Sequence, residues 1–241
     1  MSSRPLRLAY LGFALLGAAV LGAFVYDRAF RPPPAPLPAS APAPAPVAAA
    51  AGPAAAAAVR PGAPPATVPA RRPDITLKDL DGRAHSLGEW DGRGLVINFW
   101  ATWCAPCRRE IPLLNEIRAE YGPKGFEVVG IAVDFADDVR AFMKDSPIHY
   151  PLLTGEEDGM DAARAFGVET LAFPFTAFTD ARGDVITVHM GELHAEQAKV
   201  ILGIVEQVNA GSLDPEAARA AVRAALNALP PAKAPAQSAQ G

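Results

Sequence analysis

Hydrophobic positions along this chain follow three different patterns, and each predicts a different kind of element. Near the amino terminus the apolar pattern is unbroken: residues 8–26 are nineteen uncharged, mostly apolar residues, preceded by Arg4 and Arg7 and closed by Asp27 and Arg28. At about 1.5 Å per residue, a helix of that length crosses a hydrocarbon core of about 30 Å. Two shorter runs, residues 95–100 and 126–134, are rich in β-branched and aromatic residues with almost no polar alternation. That is the pattern of strands covered on both faces. Between them Leu114, Ile117 and Tyr121 recur at helical spacing until Gly122-Pro123 ends the helix. A strand, a helix and a second strand predict a parallel pair joined by a right-handed crossover.

Other segments read in the same way. Ile75 and Leu77 alternate with polar residues, Asp81-Gly82 is a hairpin signal, and residues 84–86 are the return strand. Residues 86–90 suggest a short helix capped by Ser86, with Glu89 at capping-box spacing. Residues 137–145 and 157–166 read as helices, the second stopped by Gly167, with a short strand at 150–153 between them. Strands at 175–180 and 185–190 flank a turn and should be antiparallel. A helix over 194–209 would bury Val200, Ile201, Ile204 and Val208. A last helix, 215–229, is capped by Asp214 with Pro215 at its first position. Pro112 falls inside the first helical pattern, where a kink is expected.

Composition divides the chain further. From 31 to 72 the sequence is almost pure proline and alanine, too poor in large apolar side chains for a core and held extended by proline. It reads as a disordered spacer with a reach of up to roughly 130 Å. The expected organisation is a membrane anchor at 1–30, the linker at 31–72, a globular domain at 73–213, an additional helix at 214–229 and a disordered tail at 230–241. A cleaved signal peptide is the competing reading of the first segment, but no small-x-small site directly follows Tyr26. No cysteine follows the apolar run, which excludes a lipoprotein. Arginines before the span place the amino terminus inside and the bulk of the chain outside, although Arg28 and Arg31 weaken that asymmetry. A net charge of −4, without a basic cluster beyond the amino terminus, makes nucleic acid an unsuitable partner.

The candidate chemistry lies where the first buried strand meets the helix. Cys104 and Cys107 are the only two cysteines, and they open the helical segment after the Ala101-Thr102-Trp103 turn. Unpaired backbone N–H groups and the helix dipole favour a thiolate there. The spacing leaves Cys104 accessible and turns Cys107 under the helix, so Cys104 attacks and Cys107 resolves. A zinc site would need two further ligands, and the four histidines, His85, His149, His189 and His194, show no metal spacing. These four are expected to be structural or at the surface, and Arg108 and Arg109 to form a solvated face. No metal and no cofactor are expected. Two cysteines, both in the motif, fit an oxidising compartment.

The string Asn98-Phe99-Trp100-Ala101-Thr102-Trp103-Cys104-Ala105-Pro106-Cys107, followed by Arg108-Arg109-Glu110 and Pro112, resembles thioredoxin-like thiol-disulfide oxidoreductases of the TlpA and ResA type. The resemblance covers about residues 73–209. It implies an α/β thioredoxin-like fold with a four- or five-stranded mixed sheet flanked by helices, and a region around 137–166 that thioredoxin lacks. It implies a catalytic domain tethered to the inner membrane by a single span and facing the periplasm, and a cis proline opposite the dithiol. Pro174 matches that proline, and Trp103, Phe173 and Pro174 are the expected substrate-binding residues. About two extra residues separate Gly167-Val168 from Pro174 relative to the family. Asn98 stands where thioredoxin has a buried aspartate and cannot titrate. In this family a glutamate three residues after the second cysteine is thought to replace it, which assigns the general base to Glu110. Helical spacing brings 110 close to 107, and burial would raise its pKa.

Three functions compete at this stage. The first is a monomeric reductase of disulfides in exported proteins, including apocytochrome c before haem attachment, supplied by a transmembrane thiol electron donor. Proline before the second cysteine favours it, because that dipeptide resembles reducing thioredoxins. The second is a disulfide oxidase or isomerase with the same dithiol. The third is a copper-binding or copper-delivery protein, for which Met190 would have to lie beside the dithiol. A peroxiredoxin is disfavoured, because Ala101 stands where that chemistry needs threonine.

Overall fold

The structure, a computed structural model, describes residues 68–169 and 172–230. The expected membrane anchor, residues 31–67 of the linker and residues 231–241 of the tail lie outside these. Among the described residues no helix is long and apolar enough to cross a membrane.

One seven-stranded mixed sheet organises the described residues, with strands β1 (Thr76–Asp79), β2 (Ala84–Ser86), β3 (Gly94–Trp100), β4 (Phe126–Ala132), β5 (Leu152–Thr154), β6 (Phe175–Thr179) and β7 (Val185–Met190). The spatial order is β2-β1-β5-β4-β3-β6-β7. The expectation of four or five strands is therefore corrected upward. The amino-terminal hairpin adds two strands because β1 pairs antiparallel with the short β5, Lys78 opposite Thr154, which makes the hairpin one edge of the sheet. Strands β3 and β4 are parallel, with Asn98 opposite Gly130, and β6 lies antiparallel to β3. The crossover between β3 and β4 is α1 (Ala105–Tyr121), as their apolar runs predict.

Helices α2 (Ala136–Met143), α3 (Glu157–Ala165), α4 (Ala195–Asn209) and α5 (Pro215–Ala228) complete the fold. Two apolar layers result, because successive strand residues point to opposite faces. On β3, Val96 and Trp100 enter the layer under α1, α4 and α5, whereas Leu95, Ile97 and Phe99 enter the layer covered by α3. The buried stripe of α4 is Ala198, Ile201, Leu202, Val205 and Val208. Leu202 and Val205 thus replace the expected Val200 and Ile204, which are only half-buried. Ile204 packs at the edge of this face, and Val200, at about 100° per residue, falls well away from its centre.

Asp214 caps α5, accepting hydrogen bonds from the Glu216 and Ala217 amides, and buries Ala218 and Val222 against the domain. Arg219 secures this helix by donating to the carbonyls of Val185 and Ala70. Ordered contacts also begin before Pro73: Val185 donates to the Ala70 carbonyl, and Arg72 donates from its amide to the Gly183 carbonyl. Ser86 forms the expected capping box with Glu89.

Candidate active site

Strand β3 ends at Trp100, and a turn delivers Cys104 to the amino-terminal cap of α1. Cys104 has extended backbone angles, φ −84° and ψ 106°, and its Sγ accepts the Cys107 amide at 3.3 Å. A side-chain atom that satisfies an orphan amide at a helix start is stabilised by the same dipole that favours a thiolate. Cys104 and Cys107 are joined by a disulfide, with Cα atoms 5.3 Å apart. Cys104 retains 6% exposure and Cys107 none, so only one sulfur is open to an incoming group.

The turn itself is anchored from β4. Thr102 donates to Asp134 from its amide at 3.0 Å and from its hydroxyl at 2.6 Å. Asp134 is buried at 6% exposure and also receives the Phe135 amide. The sequence reading assigned Asp134 only to the end of a strand. Its role has no local signal, because Thr102 is 32 positions away.

The Phe173–Pro174 peptide is cis, as expected from the resemblance. Phe173 is half-buried, and its ring lies 6.2 Å from that of Trp103, which is 66% exposed. Two of the three expected substrate-binding residues, Trp103 and Phe173, thus meet, Trp103 being next to Cys104 in the chain, and Pro174 itself is buried. Thr170 and Leu171, within the lengthened approach to Pro174, are outside the described residues.

Behind the dithiol the sheet is polar. Glu110, on the buried face of α1 with Cys107, is 2% exposed. Its Oε1 accepts from Asn98 Nδ2 at 2.7 Å and its Oε2 accepts from the Leu193 amide at 2.7 Å. Asn98 also donates to Thr176 Oγ1 at 3.0 Å. Burial, the dominant effect, pushes the Glu110 pKa up to about 7, although the Leu193 and Asn98 hydrogen bonds pull it down. Strand register extends this polar row: Asn98 faces Thr176, and Thr176 faces His189. Desolvation lowers the pKa of His189, whose Nε2 lies 3.4 Å from the Glu192 carbonyl. Sequence reasoning placed His189 among structural or surface residues; it is buried, at the far end of this row.

Both arginines expected on a solvated face are exposed, and Arg109 in addition pairs with a carboxylate. Arg109 Nε reaches both carboxylate oxygens of Glu192, at 3.0 and 3.1 Å. Met190 lies in the apolar layer across the sheet from Cys104 and Cys107, which removes the third ligand that the copper reading needs. Among the described residues no three His, Cys, Asp or Glu side chains are grouped to hold a metal ion.

The sequence is similar to known proteins. Residues 68–188 match the AhpC/TSA family. The thiol-disulfide oxidoreductase ResA of Geobacillus thermodenitrificans is 34% identical over 128 residues, covering 53% of this chain and 71% of that protein. The thioredoxin-like protein YneN of Bacillus subtilis is 32% identical over 127 residues, covering 50% of this chain and 70% of that protein. Among solved structures, a thioredoxin-family thiol:disulfide interchange protein from Chlorobium tepidum shares 31% identity over 53% of this chain and 89% of its own, with a TM-score of 0.47.

Proposed function

This chain belongs to the AhpC/TSA family and is a thiol-disulfide oxidoreductase with a thioredoxin-like fold; from that premise we propose that it reduces disulfides in exported proteins. The observation that carries this reading is the division of the pair: one sulfur still partly exposed, next in the chain to Trp103, whose ring meets Phe173 of the cis Phe173–Pro174 peptide, the other fully buried on the helix that carries Glu110.

In the reduced protein the Cys104 thiolate attacks a substrate disulfide, forming a mixed disulfide and releasing one substrate thiolate, which takes up a proton. Glu110 then accepts the Cys107 proton, and the Cys107 thiolate attacks Cys104 Sγ. The second substrate sulfur leaves as a thiolate and takes up a proton, Glu110 gives up the proton it accepted, and the Cys104–Cys107 disulfide remains. A pKa of about 7 suits Glu110 to this transfer at neutral pH. Two electrons from an external dithiol donor reset the enzyme, and a transmembrane thiol carrier is the class we assign to that role. Trp103 and Phe173 give the groove an apolar rim, and the cis peptide offers backbone groups to an extended substrate strand without demanding a sequence.

Residues 1–30 would hold the enzyme in the inner membrane, with the linker placing the domain in the periplasm. Apocytochrome c before haem attachment is the substrate we put first. Its paired thiols must be reduced at that stage.

The test is Cys107→Ser expressed in the native cell. It should accumulate a mixed disulfide through Cys104 whose partner is an exported protein with paired cysteines. A measured potential near about −120 mV, that of strong oxidants, would overturn the reducing direction. An exchange pH profile unchanged by Glu110→Gln would remove Glu110 from the mechanism.

A further inference from the structure

Three consecutive residues between β7 and α4 touch three different parts of the site. The Gly191 amide donates to the Pro174 carbonyl at 2.8 Å. The Glu192 carboxylate takes the Arg109 guanidinium, with Nε at 3.0 and 3.1 Å from its two oxygens. The Leu193 amide donates to Glu110 Oε2 at 2.7 Å. Arg109 and Glu110 are themselves adjacent on the first turns of α1, so two neighbouring side chains grip two neighbouring loop residues. Gly191, at φ 89°, occupies a backbone conformation that a side chain would strain.

We propose that Arg109 and Glu192 are positioning residues, a latch that holds the 191–193 loop so that the cis-proline groove and the Glu110 carboxyl are mechanically coupled. The proposal rests on the reading of Glu110 as the base for Cys107. A substrate strand paired along residue 173 loads the Pro174 carbonyl, which is fixed to Gly191. Two residues on, the Leu193 N–H stabilises Glu110 chiefly as the carboxylate, so any displacement of the loop increases the proton affinity of Glu110. Docking on one side of the loop thereby strengthens the base on the other. The forked arginine–carboxylate contact is the geometry that gives an ion pair directional hold.

The groups facing Glu110 come from several elements. Arg109 is on its own helix and Glu192 on the loop. Asn98 and Thr176 are neutral partners in the polar row. His189, on β7, faces Thr176 at the far end of that row, with His194 acting on it from the start of α4, and Tyr150, which precedes β5, is within electrostatic reach of Glu110. The Glu192 charge disfavours ionised Glu110, and Arg109 neutralises that charge.

The experiment uses the oxidised full chain in detergent micelles. The Glu110 side-chain carboxyl is titrated by carbon-13 NMR, and hydrogen exchange is followed at the Gly191 and Leu193 amides. Arg109→Gln should raise the Glu110 midpoint by about 1 pH unit, because losing the latch and exposing the Glu192 charge act in the same direction. It should also accelerate exchange at both amides by about tenfold. Glu192→Gln should accelerate the same two amides. Arg109→Lys keeps the charge without the fork, and should restore the midpoint only in part and leave exchange incompletely protected. Unchanged exchange in both glutamine variants, full protection in Arg109→Lys, or an unmoved Glu110 midpoint in Arg109→Gln would each overturn the latch. The titration reads Glu110 directly, so the outcome is separable from whether Glu110→Gln alters disulfide exchange.

Discussion

The two faces of the sheet are built from the same strands and do opposite work. On the face covered by α3, Phe99 stacks on Phe175 with ring centres 4.3 Å apart and meets Phe166 edge-on at 5.6 Å, surrounded by Ile97, Val129 and Ile131. That layer is held by area and shape. On the face beneath α1, Asn98 and Thr176 follow the same strands one residue out of phase with Phe99 and Phe175, and they support Glu110 behind Cys107. There a polar group is costly unless it is paired, and hydrogen bonds fix the Asn98 N–H groups and the Glu110 carboxylate, although Asn98 Oδ1 and His189 Nδ1 have no partner among the described residues. A single residue of phase along β3 separates the layer that stabilises the fold from the layer that carries chemistry.

Breaking either face separately tests this division. The largest effect belongs to the reacting pair. Cys104→Ser is expected to abolish turnover of a disulfide-containing peptide while leaving the circular dichroism of the domain unchanged. On the apolar face, Phe99→Ala should cost about 3–5 kcal/mol in denaturant unfolding, because it removes a stacked ring from a layer that cannot collapse around it. The fraction that remains folded should still exchange disulfides.

Glu110 links its face to pH. Its folded pKa is raised from 4.5 to about 7, so the native state holds a proton that the unfolded chain has released over that interval. The resulting stability is fully present below about pH 4.5 and is lost as pH rises through about 7, amounting to about 3 kcal/mol. Glu110→Gln should flatten the dependence of unfolding free energy on pH between these limits; an undiminished slope would place the titrating group elsewhere. The smallest expected effect is that of Thr176→Val, which leaves one Asn98 N–H without its acceptor and should cost about 1 kcal/mol in thermal or denaturant unfolding. An equal cost from Ala177→Gly, on the opposite face, would blur the distinction between the two layers.

Much of this was legible along the chain because it is local. The strand runs, the cap at Ser86, the stop at Gly122-Pro123 and the dithiol at a helix start all follow from neighbouring residues and backbone preference. The cis peptide before Pro174 was expected from the resemblance, not from spacing. The polar row was only half visible: Glu110 and Asn98 stood out in the motif, but Thr176 and His189 are joined to them by strand register, which no local pattern carries. Arg109 lies on the solvated face expected of it, but its pairing with Glu192, 83 positions away, has no local signal. Asp134 was passed over for the same reason. The number of strands was underestimated because the hairpin of β1 and β2 is locally complete, and nothing in it specifies that β5 will be its neighbour.

The sequence by itself determined which segments become strands and helices and where the two sulfurs sit, since these depend on side-chain periodicity, caps and the unpaired amides of a helix start. Tertiary structure alone decided how completely Cys107 is covered, how far Glu110 is removed from water and which loop residues hold it. Those properties come from desolvation and hydrogen bonding between groups far apart in the chain, and they exist only once the sheet and its helices have closed around them.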